Sequence, residues 1–321
     1  MATTGSGAME PAGGPPRRLQ ATNPRYGEKV IQGLLALCGI LSVLTTTAIV
    51  ISLIGPTIGF FQIVPVGDFL FGIDWTPQFE PPSFGVLAIV AGTLNVALWG
   101  MLFAVPVGLG SAIYLSEYAT PRVRKTVKPV LEILAGIPTV AIGLFAASFI
   151  LPEIIQRFWP GDFLGGVDKP FMALAAGLAV GLMVVPIIAS ISEDAMSAVP
   201  SGLREGAYAM GATKAKVATR VVLPAALSGI AASIVLAISR AVGETMIVLL
   251  AAGSTPNFTF LPNEAVQTMT AYIGVTATGD ISTGSVDYES VFAVGSVLFV
   301  MTLAMNLVSI RLVRKYREVY E

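Results

Sequence analysis

The chain has 321 residues, 54% of them hydrophobic and 12% charged, with a formal net charge of −1. An ordinary soluble domain carries roughly 25% charged residues, which argues against a water-soluble globule. There is no histidine, and Cys38 is the single cysteine. The commonest general base, the commonest metal ligand and an internal disulfide are therefore absent.

Residues 1–28 include GGPPRR and are rich in Pro, Gly and Ala, which predicts a disordered tail. After it, runs free of Asp, Glu, Lys and Arg cover 30–67, 81–116, 133–152, 170–192, 221–239 with 245–263, and 290–310. Each holds about 20 apolar residues, enough to cross a bilayer. They predict an all-α membrane protein with six transmembrane helices at 31–54, 86–115, 130–151, 171–192, 226–251 and 290–310. These form one domain over 29–312, followed by a tail at 313–321. Six buried helices of a soluble bundle would need polar faces that these runs lack. The first run is too long for a signal-peptide core and is expected to stay as an anchor.

Helix-weakening residues recur inside the spans, at Pro106, Gly108, Gly136, Pro138 and Pro186. Such positions serve close helix packing, or a hinge or pathway lining where neighbours satisfy the freed carbonyls. Sequence alone leaves both open.

Basic residues set the orientation. Arg17, Arg18, Arg25 and Lys29 precede the first span, and Arg122, Arg124, Lys125 and Lys128 lie between the second and third. Arg204, Lys214, Lys216 and Arg220 lie between the fourth and fifth, and Arg311, Arg314, Lys315 and Arg317 follow the sixth. Sixteen basic residues fall on one side, against only Arg157 and Lys169 on the other. Both termini are therefore expected in the cytoplasm. The external loops, 65–85, 152–170 and 252–289, are acidic, and the last is long enough to re-enter around 266–273.

The loop 205–224, EGAYAMGATKAKVATRVVLP, is polar yet patterned like two short helices. Gly211 sits where a tight reversal needs a residue without Cβ. Thr213 can cap the second half, and Pro224 can begin the next helix.

Arg240 lies in the middle of the fifth predicted span, about 20 Å from either end at 1.5 Å per residue. No arginine can snorkel that far, and its insertion costs at least ~2.5 kcal/mol, so it should face the bundle interior or a wet cavity. Glu244 follows at i+4 and can pair with it on a continuous helix. One reading is a pair that fixes packing; the other is a forked guanidinium offered to an oxyanion and oriented by its own carboxylate. Apolar residues would fix packing at lower cost, which favours the second.

The loop resembles the EAA signature of ABC-importer permeases, matched by Glu205, Gly206, Ala207, Gly211, Leu223 and Pro224. Gly206 stands where the signature has Ala, but the spacing is intact. The stretches VPVGLGSAIYLSEYATPRVRK, LEILAGIPTVAIGLF and SRAVGETMIV are similar to phosphate-importer permeases, and Gly-Glu-Thr-Met to their PstC-type subunit more than to the PstA-type companion. The resemblance runs from about residue 30 to the C-terminus. It implies a type I importer permease of the MetI-like fold in the inner membrane of a prokaryote, moving phosphate inward by alternating access.

By the same resemblance, the loop within 193–225 would couple to a homodimeric PstB-type ATPase, which would hold ATP and Mg. A PstA-type second permease would complete the pathway, and a PstS-type external protein would deliver phosphate. Arg240 and Glu244 would lie on the phosphate pathway. No cofactor is expected in this chain, which lacks a G-x-x-x-x-G-K-[ST] run. Membrane lipid is an expected neighbour, and nucleic acid is not. The alternatives are a companion permease, a permease for another oxyanion or polar solute, and a membrane sensor. An intramembrane enzyme is disfavoured by the missing histidine and paired carboxylates.

Overall fold

A computed structural model describes residues 26–158, 166, 169–279 and 281–315. Most of the predicted tails, with Arg17, Arg18, Arg25 and Arg317, lies outside the described residues. The chain forms two compact units, one reaching Ile51 and one from Ser52 onward. In the first, the described residues are helical and none is buried. They are the start of helix α1 (Tyr26–Ile63).

In the second unit, α1 ends and a short α2 (Val66–Phe71) leads into a two-stranded antiparallel hairpin, β1 (Trp75–Thr76) and β2 (Ser83–Phe84). Helix α3 (Leu87–Ile113) runs on as a π-helical turn over Tyr114–Tyr118. Then come α4 (Pro121–Ala135) and α5 (Thr139–Phe145), the latter continued in π-helical form over Ala146–Gln156. Helix α6 (Ala173–Ser197) is the most buried.

A cluster of short helices follows: α7 (Ser201–Ala209), α8 (Lys214–Val217) with a π-helical extension over Ala218–Val222, and α9 (Leu223–Ala225). The chain closes with α10 (Leu227–Val242), α11 (Met246–Ala251), α12 (Met269–Thr278) and α13 (Val286–Lys315).

Among the described residues, five helical stretches are long and apolar enough to cross a membrane: Gly27–Ile63, Leu87–Tyr118, Thr139–Gln156, Ala173–Ser197 and Val286–Arg311. A sixth exists only if Lys214–Ala225 and Leu227–Val242, bent by 72° at their junction, count as one span.

Two expectations are corrected. The third span starts at Thr139, not near 130, because Gly136 and Pro138 end α4 and Pro138 opens α5. Proline cannot donate into a helix interior and pushes its predecessor out of the helical region. The stretch α4 becomes a separate amphipathic helix with no buried residue. The predicted fifth span, 226–251, is interrupted at residues 243–245, between α10 and α11.

Helices α3 and α6 form the centre of the bundle because their small residues let the backbones meet. A Cβ at Gly181 would lie 2.7 Å from the Gly100 carbonyl oxygen, and one at Gly100 2.9 Å from that of Gly177. Small-residue seams of this kind are how helices associate where solvent gives no hydrophobic drive. At one end, Phe60, Phe69, Trp75, Phe84 and Tyr272 form a second core of edge-to-face aromatic contacts. The long last loop packs back onto the bundle. The amides of Ala173 and Leu174, at the start of α6, donate to the carbonyls of Glu264 and Pro262. Asn95 holds the same loop through the carbonyls of Thr259 and Leu261 at 3.0 and 3.2 Å.

Candidate coupling surface and pathway residues

The loop 205–224 folds as two helical pieces around a reversal. Gly211 has φ +78°, a left-handed conformation that costs any L side chain roughly 1–2 kcal/mol. Its amide donates to the Tyr208 carbonyl, and the amide of Ala212 to that of Ala207. Thr213 takes the N-cap position of α8, but its hydroxyl makes no capping bond. Pro224 does not begin the next helix: it lies inside the continuous helical run Lys214–Ala225, and α10 starts after Ala226.

The second piece is anchored by its apolar residues. Val217 and Val222 join Ala112, Met196, Val199, Ala226 and Ile230 in a third core. The first piece, α7, has no buried residue. Glu205, Gly206 and Tyr208 are exposed and Met210 is 89% exposed, while Ala207 is half-buried. The first helical piece is thus exposed, and the second holds it on a buried apolar base.

Two ionic clusters brace this end of the bundle; in the sequence their cations stand out only as charge. The Glu193 carboxylate, 1% exposed on α6, pairs with Arg124 and with Lys128 of α4, the latter at 3.1 Å. It also accepts from Ser197 at 2.8 Å, while Lys128 reaches Asp194 as well. The hydrogen bond to Asp194, followed by the bond and charge of Glu193, pushes the Lys128 ammonium above the usual lysine range, against its partial burial. In the second cluster, Arg204 of α7 pairs with Glu117 at 3.0 Å. The signal available in sequence was an acid ahead of each basic segment; the partners are 65 and 87 residues apart.

Arg240 and Glu244 do not pair. Helix α10 stops at Val242, so the i+4 geometry that would bring them together is lost. The Glu244 carboxylate, 6% exposed, instead accepts from the amides of Met246 and Ile247 at 3.1 and 3.3 Å, capping α11. Its carbonyl accepts from the Thr270 hydroxyl at 2.6 Å, tying the break to α12. Arg240, in the last turn of α10, is exposed and has no ion-pair partner among the described residues. The guanidinium is thus open to an external acceptor. A cavity of about 740 Å³ is lined by Asp68, Phe71, Phe84 and Asp287, and its carboxylates disfavour an anion.

Solved structures share this fold. A bacterial alginate ABC transporter, in complex with an alginate pentasaccharide-bound periplasmic protein, aligns with TM-score 0.61 at 19% identity, covering 91% of this chain and 98% of that one. The inward-facing MetNI methionine ABC transporter aligns at 0.52 and 22%, covering 73% and 95%. The architecture is that of an ABC-importer permease. Residues 104–318 match the binding-protein-dependent transport system inner membrane component family, and the chain belongs to it.

Curated relatives extend over most of the chain. The probable ABC transporter permease protein YqgH of Bacillus subtilis (strain 168) is 32% identical over 84% of this chain and 85% of that protein. The phosphate transport system permease protein PstC of Haemophilus influenzae is 29% identical, over 92% and 96%. PstC of Mesorhizobium japonicum is 34% identical, over 73% and 74%. The similarity to PstC-type permeases legible in the motifs therefore extends over most of the chain. The chain is a multi-pass inner-membrane permease subunit, not itself an enzyme, and its family works with a separate ATPase, a substrate-binding protein and a second permease.

Proposed function

We propose that this chain is the PstC-type permease of a phosphate importer. Its likeness to PstC proteins over most of its length is the observation that carries the substrate assignment. Arg240 supports it physically: a permanently charged fork, left without a carboxylate, suits a tetrahedral oxyanion. Glu244 serves the same pathway from behind, because its cap fixes the helix break beside Arg240. In this reading the end carrying α7, Arg124 and Arg204 is cytoplasmic, as are both termini.

The exposed residues of α7 from Glu205 onward, with Met210 just beyond its end, seat in a PstB-type ATPase dimer, which alone holds ATP and Mg. A PstA-type permease supplies the facing half of the pathway, and a PstS-type protein delivers phosphate. Closure of the ATPase moves α7 and exchanges access between the two sides. A single exposed arginine binds weakly enough to release its ligand, so conformation sets direction. The test is uptake by the co-purified complex in proteoliposomes. Phosphate should accumulate with ATP and the binding protein, and sulfate should not. Equal uptake of both would refute the assigned cargo.

A further inference from the structure

Arg204 immediately precedes the exposed face of α7, and its side chain turns the other way. Both Nε and Nη2 donate to Glu117 Oε1, at 3.3 and 3.0 Å. Nη1 donates to the Val199 carbonyl at 2.6 Å and Nη2 to the Met196 carbonyl at 2.7 Å. Glu117 is nearly buried in the π-helical end of α3, and Ser116 also donates to the same oxygen. Met196 lies in the last turn of α6 and Val199 two residues beyond its end, where carbonyls retain unused acceptor capacity and a cation is favoured.

One guanidinium therefore joins α7 to the ends of the two helices that form the bundle centre. Helix α7 has no buried side chain, and among its apolar residues only half-buried Ala207 packs into the nearby core. Without Arg204, α7 could tilt while α3 and α6 stayed still. A fork with bonds in several directions resists that tilt in a way that a single apolar contact cannot.

We infer that Arg204 is the positioning residue that passes displacement of α7 to α3 and α6. The inference rests on the reading that α7 seats in an ATPase. The experiment compares phosphate uptake with ATP hydrolysed by the reconstituted complex, in one vesicle preparation. Arg204→Gln should keep binding-protein-stimulated hydrolysis while uptake per ATP falls about tenfold, the scale of an ordinary coupling free energy. Arg204→Lys, which keeps charge but not the fork, should fall between. Unchanged uptake per ATP in Arg204→Gln would overturn the inference.

If Arg204→Gln fails to assemble, Glu117→Gln decides, because it leaves both carbonyl bonds in place. A reduced ratio supports the link, and an unchanged one overturns it. Cross-linking of the unaltered α7 at Met210 to the ATPase is the separate check on the underlying reading: its absence overturns the docking, whatever Arg204 does.

Discussion

Glu193 and Glu244 are both buried carboxylates, and their surroundings give them different work. Glu193 neutralises two cations that remain partly exposed, so its removal lets Arg124 and Lys128 regain water. Glu193→Ala should therefore lower stability by about 1–3 kcal/mol, less than the loss of a fully buried pair. A thermal melt of the purified protein checks this, and an unchanged midpoint contradicts it.

The pH dependence follows from Lys128, whose proton is held more tightly in the folded state. Its contribution is complete below the ordinary lysine pKa of about 10.4 and is lost as pH rises through the higher folded value. Between neutral pH and about 9, the melt should show no step from this cluster. Glu244 acts through an acceptor oxygen on two amides. Glu244→Ala should cost about 1 kcal/mol, while Glu244→Gln, which keeps an acceptor, should cost less. Equal losses in the melt would contradict the cap.

At the scale of elements, the seam between α3 and α6 depends on absent side chains. Gly181→Val would drive methyl groups into the Gly100 carbonyl, already 2.7 Å from a single added Cβ. Backbone cannot yield as a flexible side chain can, so the expected cost is about 3 kcal/mol or more. Loss of monodisperse protein on size-exclusion chromatography is the expected result, and normal yield with normal melting would contradict it. The runs that predicted α1, α3, α6 and α13 were legible because nothing interrupts their apolar character. The breaks before Thr139 and after Val242 were not legible because apolar length carries no information on backbone continuity. The residues responsible, Gly136, Pro138 and Gly243, were visible, but a bundle can also absorb such residues without breaking.

For the whole molecule, the shape of the loop 205–224 was legible in part from spacing: Gly211 marks the reversal, as local backbone chemistry requires, whereas Pro224 lies within the continuous helical run Lys214–Ala225. The braces beneath it were not legible, since Glu117–Arg204 and Glu193–Lys128 join residues far apart in the chain. The pairing of Arg240 with Glu244 assumed a helix that stops two residues after the arginine. Its loss sharpens the account, because an exposed guanidinium without a carboxylate is better suited to an anion than a neutralised one. The most direct measurement is binding-protein-dependent phosphate uptake by the intact complex carrying Arg240→Gln. The account predicts a fall of at least about a hundredfold, roughly 3 kcal/mol for a charged contact to an anion, with assembly and ATP hydrolysis retained. Uptake at the unaltered rate would contradict it.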